Sequence, residues 1–149
     1  PAQALERFFS RADLLGTKLG PILFQLPPHW GLNIDRFGEF LEALPEHRLY
    51  AFEFRNPSWD VPEIKEMLTH FRAAYCIFDL AGYQSPLTLT TDFTYIRLHG
   101  PGGKYQGIYT LSVLQGWAER LRDWGLCAAY VFFDNDVAAS AVDNALKLT

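Results

Sequence analysis

Apolar residues along this chain recur in two alternating rhythms, one near four positions and one near two. In ALERFFSRADLLGTKL (4–19), Leu5, Phe8, Phe9 and Ala12 fall on one stripe, the spacing of an amphipathic helix. Gly20-Pro21 ends it, and PILFQL (21–26) is a short apolar run stopped by Pro27-Pro28. Ile34, Phe37, Phe40, Leu41 and Leu44 then predict a helix over 33–44, with Asn33 as its cap and Pro45 as its stop. A strand follows at 49–54 and a helix at 60–71, capped by Asp60 with Pro62 in the first turn. AYCIF (74–78) and FTYIRL (93–98) are further strands, and 79–92 between them carries no helical pattern. After the glycine-rich GPGGKYQG (100–107), the pattern predicts a helix over 110–124 ended by Gly125, a strand over 127–133 and a last helix over 137–148.

Strands that alternate with helices imply parallel pairing through right-handed crossovers. Two α/β architectures fit, an open doubly wound sheet or part of a (β/α)8 barrel. GPGGKYQG follows a strand but lacks the spacing of a dinucleotide turn or a P-loop. No motif calls for a cofactor.

Composition narrows the picture. The 149 residues suit one domain, and 49% hydrophobic with 15% aromatic content supports a sizeable core. A net charge of −4 argues against a general binder of nucleic acid or anionic membrane. No apolar run approaches the roughly 20 residues that span a bilayer. Cys76 and Cys127 both sit in apolar segments, as buried thiols in a reducing cytosol would, and a cytoplasmic location is expected. The chain opens at Pro1 rather than Met, which points to a fragment.

The candidate chemistry lies where the strands stop. In LYAFEFRNPSW (49–59), Glu53 and Arg55 share a face with Ala51, while Tyr50, Phe52 and Phe54 face the other way. Tyr95, Arg97 and His99 likewise share a face, and Ala129, Val131, Phe133 and Asn135 share another. Gln25 ends the first strand and Asp79 follows the third. In parallel α/β architectures these ends form the ligand-facing rim.

Glu53 or His99 is therefore the candidate acid or base. Arg55 and Arg97 are the candidates to hold a carboxylate or phosphate. Gln25, Asp79, Tyr105 and Asn135 are candidate substrate contacts, and Trp59 is a candidate pocket wall. Asp134 is expected on the outer side, and Trp30, Trp117 and Trp124 in packing. Opposite charges at a barrel mouth also pair with each other for purely structural reasons. A metal held by Glu53, Asp79 and His99 is conceivable but has no short-range ligand motif.

Several stretches resemble a known family. FQLPP (24–28), FEFRNPSW (52–59), YIRLHG (95–100) with Tyr105 and Tyr109 beyond it, and FFDN (132–135) are similar, in order and spacing, to the YecE-like family, domain of unknown function 72 (DUF72). The resemblance runs through most of the chain and departs at Asp134, where the family usually shows Asn. It implies a TIM-barrel-like (β/α)8 fold, with residues 1–149 forming roughly the fourth to the eighth strands of one domain and the earlier strands missing. It supplies no reaction, because the family's activity is unassigned.

Three expectations follow. The first is an enzyme acting on a small polar or phosphorylated substrate, by hydrolase, lyase or isomerase chemistry. The second is a nucleic-acid-binding or repair-type barrel, with arginines on phosphates and Trp59, Tyr105 or Tyr109 stacked on a base. The third is a non-catalytic ligand-binding barrel.

Overall fold

The structure is a computed structural model that describes residues 2–148. Its sheet contains β1 (Ile22–Leu26), β2 (Tyr50–Phe54), β3 (Ala74–Leu80), β4 (Tyr83–Gln84), β5 (Phe93–Leu98) and β6 (Ala128–Phe133). The helices are α1 (Ala2–Ala12), α2 (Ile34–Glu42), α3 (Pro62–His70), α4 (Leu111–Trp124) and α5 (Ser140–Leu148). The spatial order β1-β2-β3-β5-β6 is the chain order, and every pair along it is parallel. A doubly wound sheet would reverse direction part-way. This one is singly wound, which selects the TIM-barrel-like α/β alternative, here as an open arc.

The two faces of the sheet are distinct. Tyr50, Phe52, Phe54 and Tyr75 pack with Phe37 and Leu41 of α2 and Ile64 and Leu68 of α3. Ile77, Ile96, Leu98, Val131 and Phe133 pack with Leu114 and Trp117 of α4. The opposite face gathers Leu23, Ala51, Ala74, Cys76, Phe93, Tyr95, Ala128 and Tyr130, strand residues alone. That is the inner face, and β2 is buried at all five positions because both faces are covered.

Local departures from the sequence pattern have physical causes. The first helix stops at Ala12, and residues 13–18 tighten into 3₁₀ turns around Gly16, whose φ of 53° breaks the helix. Asn33 caps α2 through a bond from the Arg36 N–H. Asp60 does not cap α3; Val61 holds that position ahead of Pro62, and the Asp60 carboxylate pairs with Lys65 instead.

β3 runs two residues beyond the apolar stretch, so Asp79 lies within it. A tight turn at Ala81-Gly82, both with positive φ, then folds β4 back antiparallel on Asp79 and Leu80. The crossover from β3 to β5 carries no helix. Ser85 Oγ accepts from the Phe78 N–H, and Thr90 Oγ1 bonds the Tyr75 N–H and the Ala73 carbonyl, so side chains dock this loop. Cys76 is buried, but Cys127 is exposed, and so is Trp30.

Candidate functional site

Inward residues of β2, β5 and the end of β6 meet at the carboxyl end of the sheet. Glu53 is 0% exposed. Its Oε1 accepts from Arg55 Nε, and its Oε2 accepts from Arg97 Nη1 at 2.8 Å. Arg97 Nη1 also donates to Gln25 Oε1 at 3.1 Å, which ties in β1. The Arg55 guanidinium lies 4.5 Å over the Phe78 ring. Both Glu53 oxygens are thus engaged, and the carboxylate holds two guanidiniums in fixed positions.

His99 follows β5 and is fully buried. Its Nδ1 lies 2.6 Å from the Asp79 carbonyl oxygen, which can only accept, so Nδ1 carries the proton. Nε2 faces Arg55 Nη2 at 3.0 Å and Asp134 Oδ2 at 3.3 Å. Arg55 can only donate, so the neutral ring accepts its hydrogen bond. Burial first and then the Arg97 charge depress the His99 pKa below its ordinary 6.5, against a smaller rise from the bond to Asp79.

The folded state consequently binds fewer protons at His99 than the unfolded chain does. This contribution to stability is present above pH 6.5 and is lost as pH falls toward the folded midpoint. In an imidazole proton NMR titration, the His99 midpoint is expected below 6.5. Arg97→Gln should move it up and Asp134→Asn down. A midpoint at or above 6.5 in the native chain would contradict this geometry.

Asp79 and Tyr109 hold His99 in place. Asp79 Oδ1 accepts from the His99 N–H at 2.6 Å, and the Tyr109 hydroxyl lies 2.6 Å from Oδ2. The same hydroxyl accepts from the Gly100 N–H at 2.7 Å. Burial raises the Asp79 pKa above its ordinary 3.8, although the bonds from Tyr109 and His99 oppose the rise. Burial, reinforced by the Asp79 carboxylate, also pushes the Tyr109 hydroxyl well above its ordinary range.

Gly100, with φ of 109°, starts the loop above His99. A Cβ there would lie 2.2 Å from the Gln106 carbonyl oxygen, so only glycine fits. The loop places the Tyr105 ring, 48% exposed, edge-on to the imidazole at 5.7 Å.

The end of β6 corrects the sequence reading. Val131 and Phe133 face the helices, which puts Asp134, not Asn135, on the inner side with Tyr130 and Phe132. Asp134 Oδ2 lies 2.8 Å from Arg97 Nη2, and its side chain is 27% exposed. Asn135 is buried behind the sheet, donating to the Gly107 carbonyl at 2.8 Å and to Asn144 Oδ1 at 2.9 Å.

Asn144 in turn accepts from the Tyr109 N–H and donates to the Tyr109 carbonyl. Tyr109 is therefore buried and bonded rather than a stacking surface. Trp59 stacks on Phe54 and donates to the Trp30 carbonyl. With Phe24, Gln25 and Trp30 it lines a groove of about 780 Å³ beside β1, which shares Gln25 with the ion-pair cluster. Among the described residues, no three His, Cys, Asp or Glu side chains are placed to hold a metal ion.

The geometry thus brings together Gln25, Glu53, Arg55, Arg97 and His99, with Tyr105 above, Asp79 beneath and Asp134 as an added member. The profile of the family described as "Protein of unknown function DUF72" matches residues 1–149. A DUF72 family protein from Thermotoga maritima superposes with a TM-score of 0.86 at 25% identity, over 99% of this chain and 64% of its own. Two structures of a DUF72 family protein from Enterococcus faecalis superpose with TM-scores of 0.81 and 0.78, at 18% and 20% identity. Each covers 95% of this chain, against 62% and 64% of their own length. The chain therefore spans a little under two thirds of these structures. No curated protein matches the chain.

Proposed function

Because the chain belongs to the DUF72 family, whose function is unknown, its chemistry has to be read from its own residues, and we propose that the rim is an enzyme site for a small polar or phosphorylated substrate. One observation carries this reading. A neutral histidine is held with its Nε2 against the Arg55 guanidinium and beside a partly exposed carboxylate that pairs with Arg97, at the carboxyl ends of parallel strands.

In this reading Arg55 Nη2 turns from His99 Nε2 to the substrate, which frees the Nε2 lone pair to take a proton from the substrate and return it. The depressed pKa keeps the ring in its accepting form at neutral pH. Arg97 and Arg55 bind and orient the substrate's polar or anionic group. Glu53, with both oxygens occupied, positions the arginines rather than moving protons. Asp79 holds the imidazole in its tautomer through its backbone carbonyl.

The reading is tested by screening a metabolite library against the chain for ligand-induced thermal shift and for substrate loss by mass spectrometry. A consumed metabolite should still bind to His99→Asn while its turnover falls by about 10²–10⁴-fold. Arg97→Gln should weaken its binding. Undiminished turnover in His99→Asn would overturn the proposal. Binding without turnover by the native chain would leave a ligand-binding barrel. Salt-sensitive oligonucleotide binding abolished by Arg97→Gln would point to nucleic acid.

A further inference from the structure

We infer that Asp134 occupies the seat of an anionic ligand oxygen, as an internal stand-in that such a ligand displaces. The inference rests on the rim being a binding site and adds the chemistry of what binds there. Glu53 takes Arg97 Nη1 and Arg55 Nε, which leaves the Nη2 group of each arginine turned away from it. Arg97 Nη2 meets Asp134, and Arg55 Nη2 reaches the same spot only through the imidazole between them. Asp134 Oδ2 is 2.8 Å from Arg97 Nη2 and 3.3 Å from His99 Nε2, and Arg55 Nη2 is 3.0 Å from the same imidazole nitrogen.

The oxygen is buried, yet it makes no aligned hydrogen bond. Charge and proximity hold it there rather than a fitted bond. Of the two carboxylates against Arg97, Glu53 is 0% exposed and 27% of the Asp134 side chain is open to solvent. The Asp134 N–H is fixed to the Leu98 carbonyl at 2.8 Å, so the backbone stays while the side chain can rotate outward.

Once it does, Arg55 and Arg97 face Glu53 with one positive charge uncompensated. The remaining carboxylate nearby, Asp79, is already taken by the His99 N–H and the Tyr109 hydroxyl. The Arg97 guanidinium at a small, partly buried seat, with Arg55 one imidazole away, suits a phosphate or carboxylate oxygen.

The test compares the native full chain with Asp134→Asn and Asp134→Ala, titrated with inorganic phosphate and, separately, acetate, following the His99 imidazole resonances. Removing the resident charge should tighten phosphate binding by at least about tenfold, the scale of one charge-assisted hydrogen bond. Adding Arg97→Gln should abolish the gain. Acetate following the same order identifies a carboxylate-tolerant seat, and a response to phosphate alone identifies a phosphate seat.

Equal or weaker phosphate binding in both Asp134 variants overturns the inference, as does absence of binding in every variant. Tightening in a chain that shows no His99-dependent turnover would leave this inference standing and remove the catalytic reading. His99-dependent turnover with no tightening would do the reverse.

Discussion

Replacing Glu53 by Gln is expected to lower the unfolding free energy by about 3–5 kcal/mol, because it leaves two partly buried guanidiniums without their shared anion. Arg55 and Arg97 side chains are only 10% and 20% exposed, so water cannot fully take over from the carboxylate. The amide also turns an NH₂ group toward one arginine where an oxygen stood. Urea unfolding followed by circular dichroism measures the loss.

The double variant Glu53→Gln with Arg97→Met should lose less than the sum of the two single changes, since each partner's main cost is the other left alone. A loss below about 1 kcal/mol in Glu53→Gln would mean that the cluster behaves as a solvated surface pair. The size of the effect matters for function. A site built on Glu53 cannot be dissected through Glu53 without first controlling for folding, and His99 and Asp134 are better handles.

Phe52→Ala is expected to cost a similar amount, about 3–5 kcal/mol, through lost burial and a cavity. Phe52 is fully buried, with Phe24 stacked at 5.4 Å and Phe37 edge-on at 5.1 Å. Phe40 and Phe54 complete the surround at 6.3 Å each. Aromatic pairs of this kind add roughly 0.5–1.5 kcal/mol beyond area. Phe52→Leu should retain more than half of the stability lost in the alanine variant. If the two variants unfold at the same urea concentration, restoring apolar bulk recovers nothing and this expectation fails; a leucine variant as stable as the native chain would show that the ring packing adds nothing beyond bulk. Because Phe52 and Glu53 are adjacent with opposite orientations, the pair separates the helix-side core from the inner-face cluster within one strand.

The alternation of strands and helices was legible because Gly and Pro punctuate it, and the face of β2 because charges stand at only one parity near its end. Strand order was not legible, since hydrophobic period reports which residues are buried and says nothing about which strand lies beside which. β6 failed for a related reason. CAAYVFF is apolar at both parities although β6 is an edge strand with Ala129 and Phe132 exposed, so alternation carries no orientation there. Asp134 and Asn135 were consequently exchanged.

Side-chain bulk does not orient them either, because Tyr130 and Phe132 on the inner side are as large as Val131 and Phe133 toward the helices. Tyr109 surfaced through family resemblance, but its partner Asp79 lies 30 positions away, beyond any local pattern. Glu53, Arg55, Arg97 and His99 were legible as inward residues. Their mutual pairing was not, because spacing along a chain does not measure distance across a sheet.

The bonds of Asn144 have a consequence for how the rim is governed. Through Tyr109 they run from α5 to Asp79 and Gly100, and so to the imidazole and the loop above it. The last helix and the mouth therefore share one set of hydrogen bonds. Asn144→Ala is accordingly expected to shift the His99 imidazole resonances although it touches no strand, and unchanged resonances would show that the bonds do not transmit the change.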